Sequence, residues 1–114
     1  MKVTIWHNPR CSKSRETLKL LQDQGVNPVV RLYLETPPSG AEITNTAKML
    51  GVEMIAMMRS GEKLFKELGL KKTDAPEVLL DALQHHPILI ERPIVFSAKG
   101  ARIGRPPEKV LEIL

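Results

Sequence analysis

Within its first 34 residues the chain sets a proline-free helical stretch between two apolar, β-branched ones. Lys2 to Trp6 alternates and is rich in Val, Thr, Ile and Trp, which predicts a strand. Ser12 to about Gln24 reads as a helix with Leu18, Leu21 and Leu20 turned inward, and Gly25 stops it. Val29 to Leu34 predicts a second strand. A helix between two strands this close in sequence is a β-α-β unit, so the strands are expected to be parallel with a right-handed crossover.

The remainder of the chain extends that start. Thr36-Pro37-Pro38 breaks it, and Ser39 with Glu42 has the spacing of a capping box. Ile43, Ala47 and Leu50 then share a helix face, and Gly51-Val52 ends the helix. Met54 to Met58 reads as a short buried helical piece, and Glu62 to Leu68 as a helix carrying Leu64 and Leu68. Asp74 and Glu77 resemble a capped start for another, with Val78, Leu79, Ala82 and Leu83, closed by His85-His86-Pro87. Ile94-Val95-Phe96 predicts a strand, Ala98-Lys99-Gly100 a turn, and Ala101 to Gly104 its returning partner. Pro106 suits the first turn of a last helix carrying Val110, Leu111 and Leu114. The order β-α-β, helical insertion at about 39–86, then β-β-α is that of an α/β, thioredoxin-like (glutaredoxin-like) fold with a mixed four-stranded sheet. We expect one domain over residues 1–114.

Composition narrows the function classes. No apolar run approaches the ~20 residues of a membrane span, and the N-terminal apolar stretch is too short for a secretory signal, so a cytoplasmic location is expected. A net charge of +4, from 17 Lys+Arg and 13 Asp+Glu, favours anions mildly. The basic residues are dispersed and aromatics are only 4%, so no nucleic-acid platform is expected. A single cysteine excludes an internal disulfide framework and a Cys-based zinc cluster. His85 and His86 end a helix, where a cation suits the dipole, and have no second ligand pair at metal spacing; no metal is expected.

Cys11 falls between the first strand and the first helix. A helix N-terminus offers unpaired N–H groups and the positive end of the macrodipole. Both favour a thiolate and also cradle an anion. Arg10, Lys13 and Arg15 add positive charge nearby. Ser14 is a candidate hydrogen-bond donor to the sulfur, and a protonated His7 would raise the thiolate fraction. The alternative is an inert, buried cysteine with solvated basic neighbours. Arg59, Arg92 and Arg105 each stand beside a break in the chain, at Ser60-Gly61, Pro93 and Gly104 with Pro106-Pro107. Rigidly held arginine suits a bidentate grip on an oxyanion; surface solubility is the alternative. Arg92-Pro93 is a candidate cis peptide leading into a strand.

The segment Ile5-Trp6-His7-Asn8-Pro9-Arg10-Cys11-Ser12-Lys13-Ser14-Arg15 resembles the active-site segment of the glutaredoxin-coupled arsenate reductase (ArsC-like) family. Met58-Arg59, Lys66-Glu67-Leu68-Gly69-Leu70, Glu91-Arg92-Pro93-Ile94-Val95 and Gly104-Arg105-Pro106-Pro107 follow in the family's order over nearly the whole chain. With Arg10 and Lys13 flanking the cysteine, it is most similar to a short ArsC-related subgroup. The resemblance implies reduction of arsenate to arsenite, with Cys11 as nucleophile and Arg59, Arg92 and Arg105 binding the oxyanion. It implies that His7, Asn8 and Ser14 organise the loop and help activate the thiol, and that Pro93 matches the cis-proline of thioredoxin-like folds. It also implies glutathione and glutaredoxin as reductants, with no bound cofactor. The expected partners are arsenate or a similar oxyanion, glutathione and glutaredoxin, with no nucleic acid or membrane, for a monomer. Two other functions share the resemblance: a different glutathione-linked thiol oxidoreductase, and a non-enzymatic regulator of the same fold. The regulators commonly carry a second cysteine where Ser14 stands.

Overall fold

The computed structural model describes residues 2–114. Its elements run β1 (Thr4–Trp6), α1 (Ser12–Asp23), β2 (Val29–Arg31), α2 (Gly40–Leu50), α3 (Lys63–Glu67), α4 (Pro76–His85), β3 (Ile94–Ser97) and β4 (Gly100–Ile103). Short stretches of 3-10 helix lie at Met54–Met57, Pro87–Leu89 and Pro107–Ile113. The chain divides into two compact units, one ending at Thr36 and resuming as Arg92–Leu114, the other spanning Pro37–Glu91.

All four strands among the described residues lie in the first unit and form one mixed sheet in the order β2-β1-β3-β4. β1 and β2 are parallel with Ile5 opposite Val30, as the crossover helix requires. β1 and β3 are antiparallel with Ile5 opposite Val95. β3 and β4 form a hairpin closed where Ser97 faces Gly100. This is the mixed α/β, thioredoxin-like arrangement that the order of elements predicts. Strand alternation sends Ile5 and Val95 to one face, where they pack with Val3, Leu21 of α1, and Val110 and Ile113 of the last 3-10 stretch. Each such side chain removed from water is worth about 1.5–3 kcal/mol, which fixes α1, and Cys11 at its start, to the sheet. The indole of Trp6 meets the Phe96 ring at 5.0 Å between centroids, and the Arg31 guanidinium lies 5.6 Å from the Trp6 ring.

Several boundaries differ from expectation. β2 ends at Arg31 rather than Leu34, because the Glu35 and Thr36 amides turn back to donate to the Leu32 carbonyl. The last segment is a 3-10 helix that starts at Pro107, with Pro106 outside it as the N-cap.

In the second unit α2 opens on the expected capping box. Ser39 Oγ accepts from the Glu42 amide at 3.2 Å, and Glu42 Oε1 accepts from the Ser39 amide at 3.0 Å. The helix closes at Gly51, whose φ of 70° is one that side chains with a Cβ rarely adopt, and the Val52 amide returns to the Ala47 carbonyl. Ile43 and Ala47 of α2, Leu79, Ala82 and Leu83 of α4, and Met57 are buried; Leu50 is only half-buried. α4 is not capped by Asp74. That carboxylate accepts from the Lys71 amide at 2.9 Å, while Ala75 takes the cap position and Pro76 opens the helix. In α3 the buried residue is Phe65, whereas Leu68 is 40% exposed.

Candidate active site

Cys11 is the N-cap of α1 and is partly buried. Its amide donates to the Asn8 carbonyl at 3.0 Å, and its own carbonyl accepts from the Arg15 amide, the first bond of the helix. Burial pushes the thiol up, but the backbone amides of Ser14 and Lys13 and the guanidinium of Arg92 outweigh it. The net result is a thiol below its ordinary value. The expected helix-terminus activation is therefore present, with the amides of Ser14 and Lys13 turned to the sulfur.

The side chains of the loop act differently from the sequence reading. The Ser14 hydroxyl does not serve the sulfur. It is fully buried, lies 2.6 Å from His7 Nδ1, and accepts from the Asn8 amide at 3.0 Å. His7 is held below its ordinary value by burial and by the nearby charge of Arg15. Both effects disfavour the imidazolium that would raise the thiolate fraction. His7 and Ser14 instead brace the loop from beneath. Asn8 completes the brace: its side-chain oxygen accepts from the Arg10 amide at 3.0 Å, and its carbonyl holds Cys11. The basic neighbours have local tasks as well. Lys13 pairs with Glu16 at 3.4 Å, and Arg15 donates to the Pro9 carbonyl at 2.9 Å.

Arg92 and Arg105 come to Cys11 from the far end of the chain. Arg92 precedes β3, and its bond to Pro93 is cis, as anticipated; the Arg105-Pro106 bond is cis too, which sequence reasoning missed. The Arg92 guanidinium lowers the thiol by its charge, while its Nε and Nη1 are buried with no hydrogen-bond partner among the described residues. Arg105 donates from Nε to the Arg92 carbonyl at 2.8 Å, and its Nη2 lies 3.7 Å from Cys11 Sγ. The Gly104 amide donates to the Pro93 carbonyl at 2.9 Å, tying the two arginine-bearing segments together. A thiolate, two guanidiniums and a set of helix-start amides thus share one place, and that combination can bind and attack a tetrahedral oxyanion.

Arg59 belongs to the second unit. Its Nη1 donates to Glu62 Oε2 at 2.6 Å, its Nε lies 3.9 Å from Glu91 Oε1, and its amide donates to the Leu89 carbonyl. These carboxylate partners were not foreseen, although Glu62 stands at i+3 and Glu91 beside Arg92 in the sequence. Among the described residues no group of three or more His, Cys, Asp or Glu is placed to hold a metal ion, and no helix is long and apolar enough to cross a membrane. His85 Nδ1 lies 2.8 Å from the Asp81 carbonyl oxygen and 3.3 Å from the Asp81 carboxylate.

The family model described as "ArsC family" matches residues 6–113. A Haemophilus influenzae protein named arsenate reductase is 49% identical, with all of both chains covered. The Escherichia coli K12 protein YfgD, named as uncharacterized, is 53% identical over 98% of this chain and 96% of its own. The solved structure of an arsenate reductase from Vibrio cholerae has a TM-score of 0.96 and 54% identity, covering 100% of this chain and 98% of that one.

Proposed function

Because the chain belongs to the ArsC family, we propose that it reduces arsenate to arsenite, with Cys11 as the nucleophile and Arg92 and Arg105 gripping the oxyanion. The observation that carries this reading is Arg92. Its charge acts on the sulfur while two of its nitrogens are buried without an acceptor among the described residues. Buried N–H groups are paired in the great majority of cases, so a guanidinium left this way is a socket for acceptor oxygens. The names of the relatives supply the candidate oxyanion.

The chemistry follows from the site. Arginine stays charged at any working pH, so the grip does not switch off. The Cys11 thiolate attacks arsenic as one arsenate oxygen leaves as water, and the arginines hold the charge on the remaining oxygens. A glutathione thiol then displaces a second oxygen, as water, from the sulfur-bound arsenic. Glutaredoxin's thiolate attacks the glutathione sulfur to form a mixed disulfide, and the pair of the broken sulfur–arsenic bond stays on arsenic, which is now arsenic(III). Water then cleaves the bond from arsenic to Cys11, releasing arsenite and the Cys11 thiolate. Two thiols become a disulfide, which balances the two electrons arsenate accepts. The chain's single cysteine has no internal partner for this exchange, so external thiols belong to the reading. His7, Asn8 and Ser14 hold the loop, and Pro93 takes the place of the family's cis-proline. A substrate-binding role for Arg59 rests on the family resemblance alone. A glutathione-linked reaction suits the reducing cytoplasm, and a chain with 26% charged residues suits a monomer.

The test is a coupled assay with purified protein, arsenate, glutathione and glutaredoxin, comparing wild type with Cys11→Ser. Arsenate-dependent glutathione oxidation that disappears in the variant is the expected result. No turnover by a wild type whose Cys11 alkylates rapidly at neutral pH would refute arsenate as the substrate.

A further inference from the structure

We infer that Gly104 and Thr17 are positioning residues that set the distance between the Arg105 guanidinium and the Cys11 sulfur. The inference rests on the roles proposed above for Cys11 and Arg105. Gly104 directly precedes Arg105 and is buried. Its φ lies outside the left-handed region, so it is not needed there for conformational freedom. It is needed for space. A Cβ on Gly104 would lie 2.6 Å from Thr17 Oγ1, 3.2 Å from Thr17 Cγ2 and 2.8 Å from Pro93 Cγ. Two of these separations are shorter than non-bonded heavy atoms tolerate.

Neither neighbour is free to yield. Thr17 is fully buried on α1, and its hydroxyl donates to the Lys13 carbonyl at 2.8 Å. Pro93 is a buried ring whose carbonyl already accepts the Gly104 amide. Gly40 makes the contrast: a Cβ there would meet only the Gln84 side-chain amide, which can swing aside. A methyl at 104 must therefore move the backbone at 104. Arg105 follows, because its Nε bond to the Arg92 carbonyl and its 3.7 Å approach to Sγ leave it little slack. The same helix that offers its amides to the sulfur also carries Thr17. The contact between Thr17 and Gly104 therefore gauges one half of the site against the other. A misplacement of about 1 Å in such a constellation costs about 10²-fold in rate.

The experiment compares wild type, Gly104→Ala, Arg105→Ala and the double variant, with Gly40→Ala as a control that keeps wild-type behaviour. Two readouts are taken below each variant's unfolding temperature: the pH profile of Cys11 alkylation by iodoacetamide, and arsenate kcat/KM. Gly104→Ala is expected to move the alkylation profile to higher pH and to lower kcat/KM by about 10²-fold. In the Arg105→Ala background it should add no further shift, because it acts through that residue. Thr17→Ala in the Gly104→Ala chain should restore part of the profile by removing two of the three close contacts. If Gly104→Ala fails to fold, Thr17→Ala alone, which leaves slack instead of a clash, is expected to give a smaller shift of the same sign. An unmoved profile in the folded variants, or a Gly104→Ala shift that is fully retained without Arg105, would overturn the inference. Alkylation needs no arsenate, so a wild type that fails to turn over arsenate defeats the reading of the substrate and leaves this series to decide on the spacer.

Discussion

Replacing Arg92 by Met separates binding from folding. Methionine keeps an unbranched stem of similar reach and removes the guanidinium. In the wild type the Nε and Nη1 donors are buried without acceptors among the described residues. Each such group costs folding about 1–3 kcal/mol, so the pair together costs about 2–6 kcal/mol. The attraction between the guanidinium and the ionised sulfur returns part of that. Arg92→Met is therefore expected to be neutral or to gain about 2 kcal/mol of stability in the absence of an anion. For a chain of 114 residues that gain raises Tm by several degrees, at about 4 °C per kcal/mol. Activity should go the other way, falling about 10²–10³-fold with the loss of donors to the developing oxyanion. Arsenate without reductant should stabilise the wild type by about 2.7 kcal/mol at a hundredfold excess over Kd, and the variant far less. Thermal denaturation with and without arsenate, read beside the coupled assay, checks all of this. A Tm that drops by many degrees in Arg92→Met without anion would show that Arg92 supports the fold, and the argument from its unpaired donors would fail.

The loop yields two further tests. Ser14→Ala should destabilise by about 1–3 kcal/mol, because the buried Asn8 amide and His7 lose their partner. Cys11 should still alkylate with a nearly wild-type pH profile, since it is the Ser14 backbone that serves the sulfur; a large upward shift would return a direct role to the hydroxyl. His7, held below its ordinary value by burial, binds fewer protons folded than unfolded between the two pKa values. Its contribution to stability is then complete above about pH 6.5 and is lost as pH falls through the lower folded value. Urea midpoints across that range should decline with acid in the wild type and flatten in His7→Gln; equal slopes would mean that other groups carry the effect.

The parts of the molecule legible in sequence were those governed by local pattern. Alternation in Lys2–Trp6, the β-branched and aromatic run Ile94–Phe96, the helical stretch after Cys11, and the Ser39–Glu42 spacing each name their structure within a few residues, because neighbours along the chain decide them. The misreadings came where a competing bond was available. Asp74 had the spacing of a cap, yet the Lys71 amide was within its reach; Leu68 had the period of a buried residue, yet Phe65 offers more area to bury. At the site, the sequence singled out Cys11, Arg92 and Arg105, which the fold brings together, but not which groups would face the sulfur. A serine beside a cysteine offers both a hydroxyl and an amide, and only the turn of the backbone shows which one faces the sulfur. Gly104 stood in the quoted motif, but its meaning lies in atoms of Thr17 and Pro93, far away in sequence.

The pairing of β1 with β3, and of Cys11 with Arg92 and Arg105, has a consequence for the chain as it is synthesised. Synthesis proceeds from the N-terminus, so Cys11 emerges long before the two arginines that come to lie beside it. Until then the thiol has only what its own helix offers, the amides of Lys13 and Ser14. The share of its acidity that comes from Arg92 arrives only when the last third of the chain has been made and β3 has paired with β1. The thiol's activation is thus delivered in two instalments, the first local and the second conditional on the completed sheet.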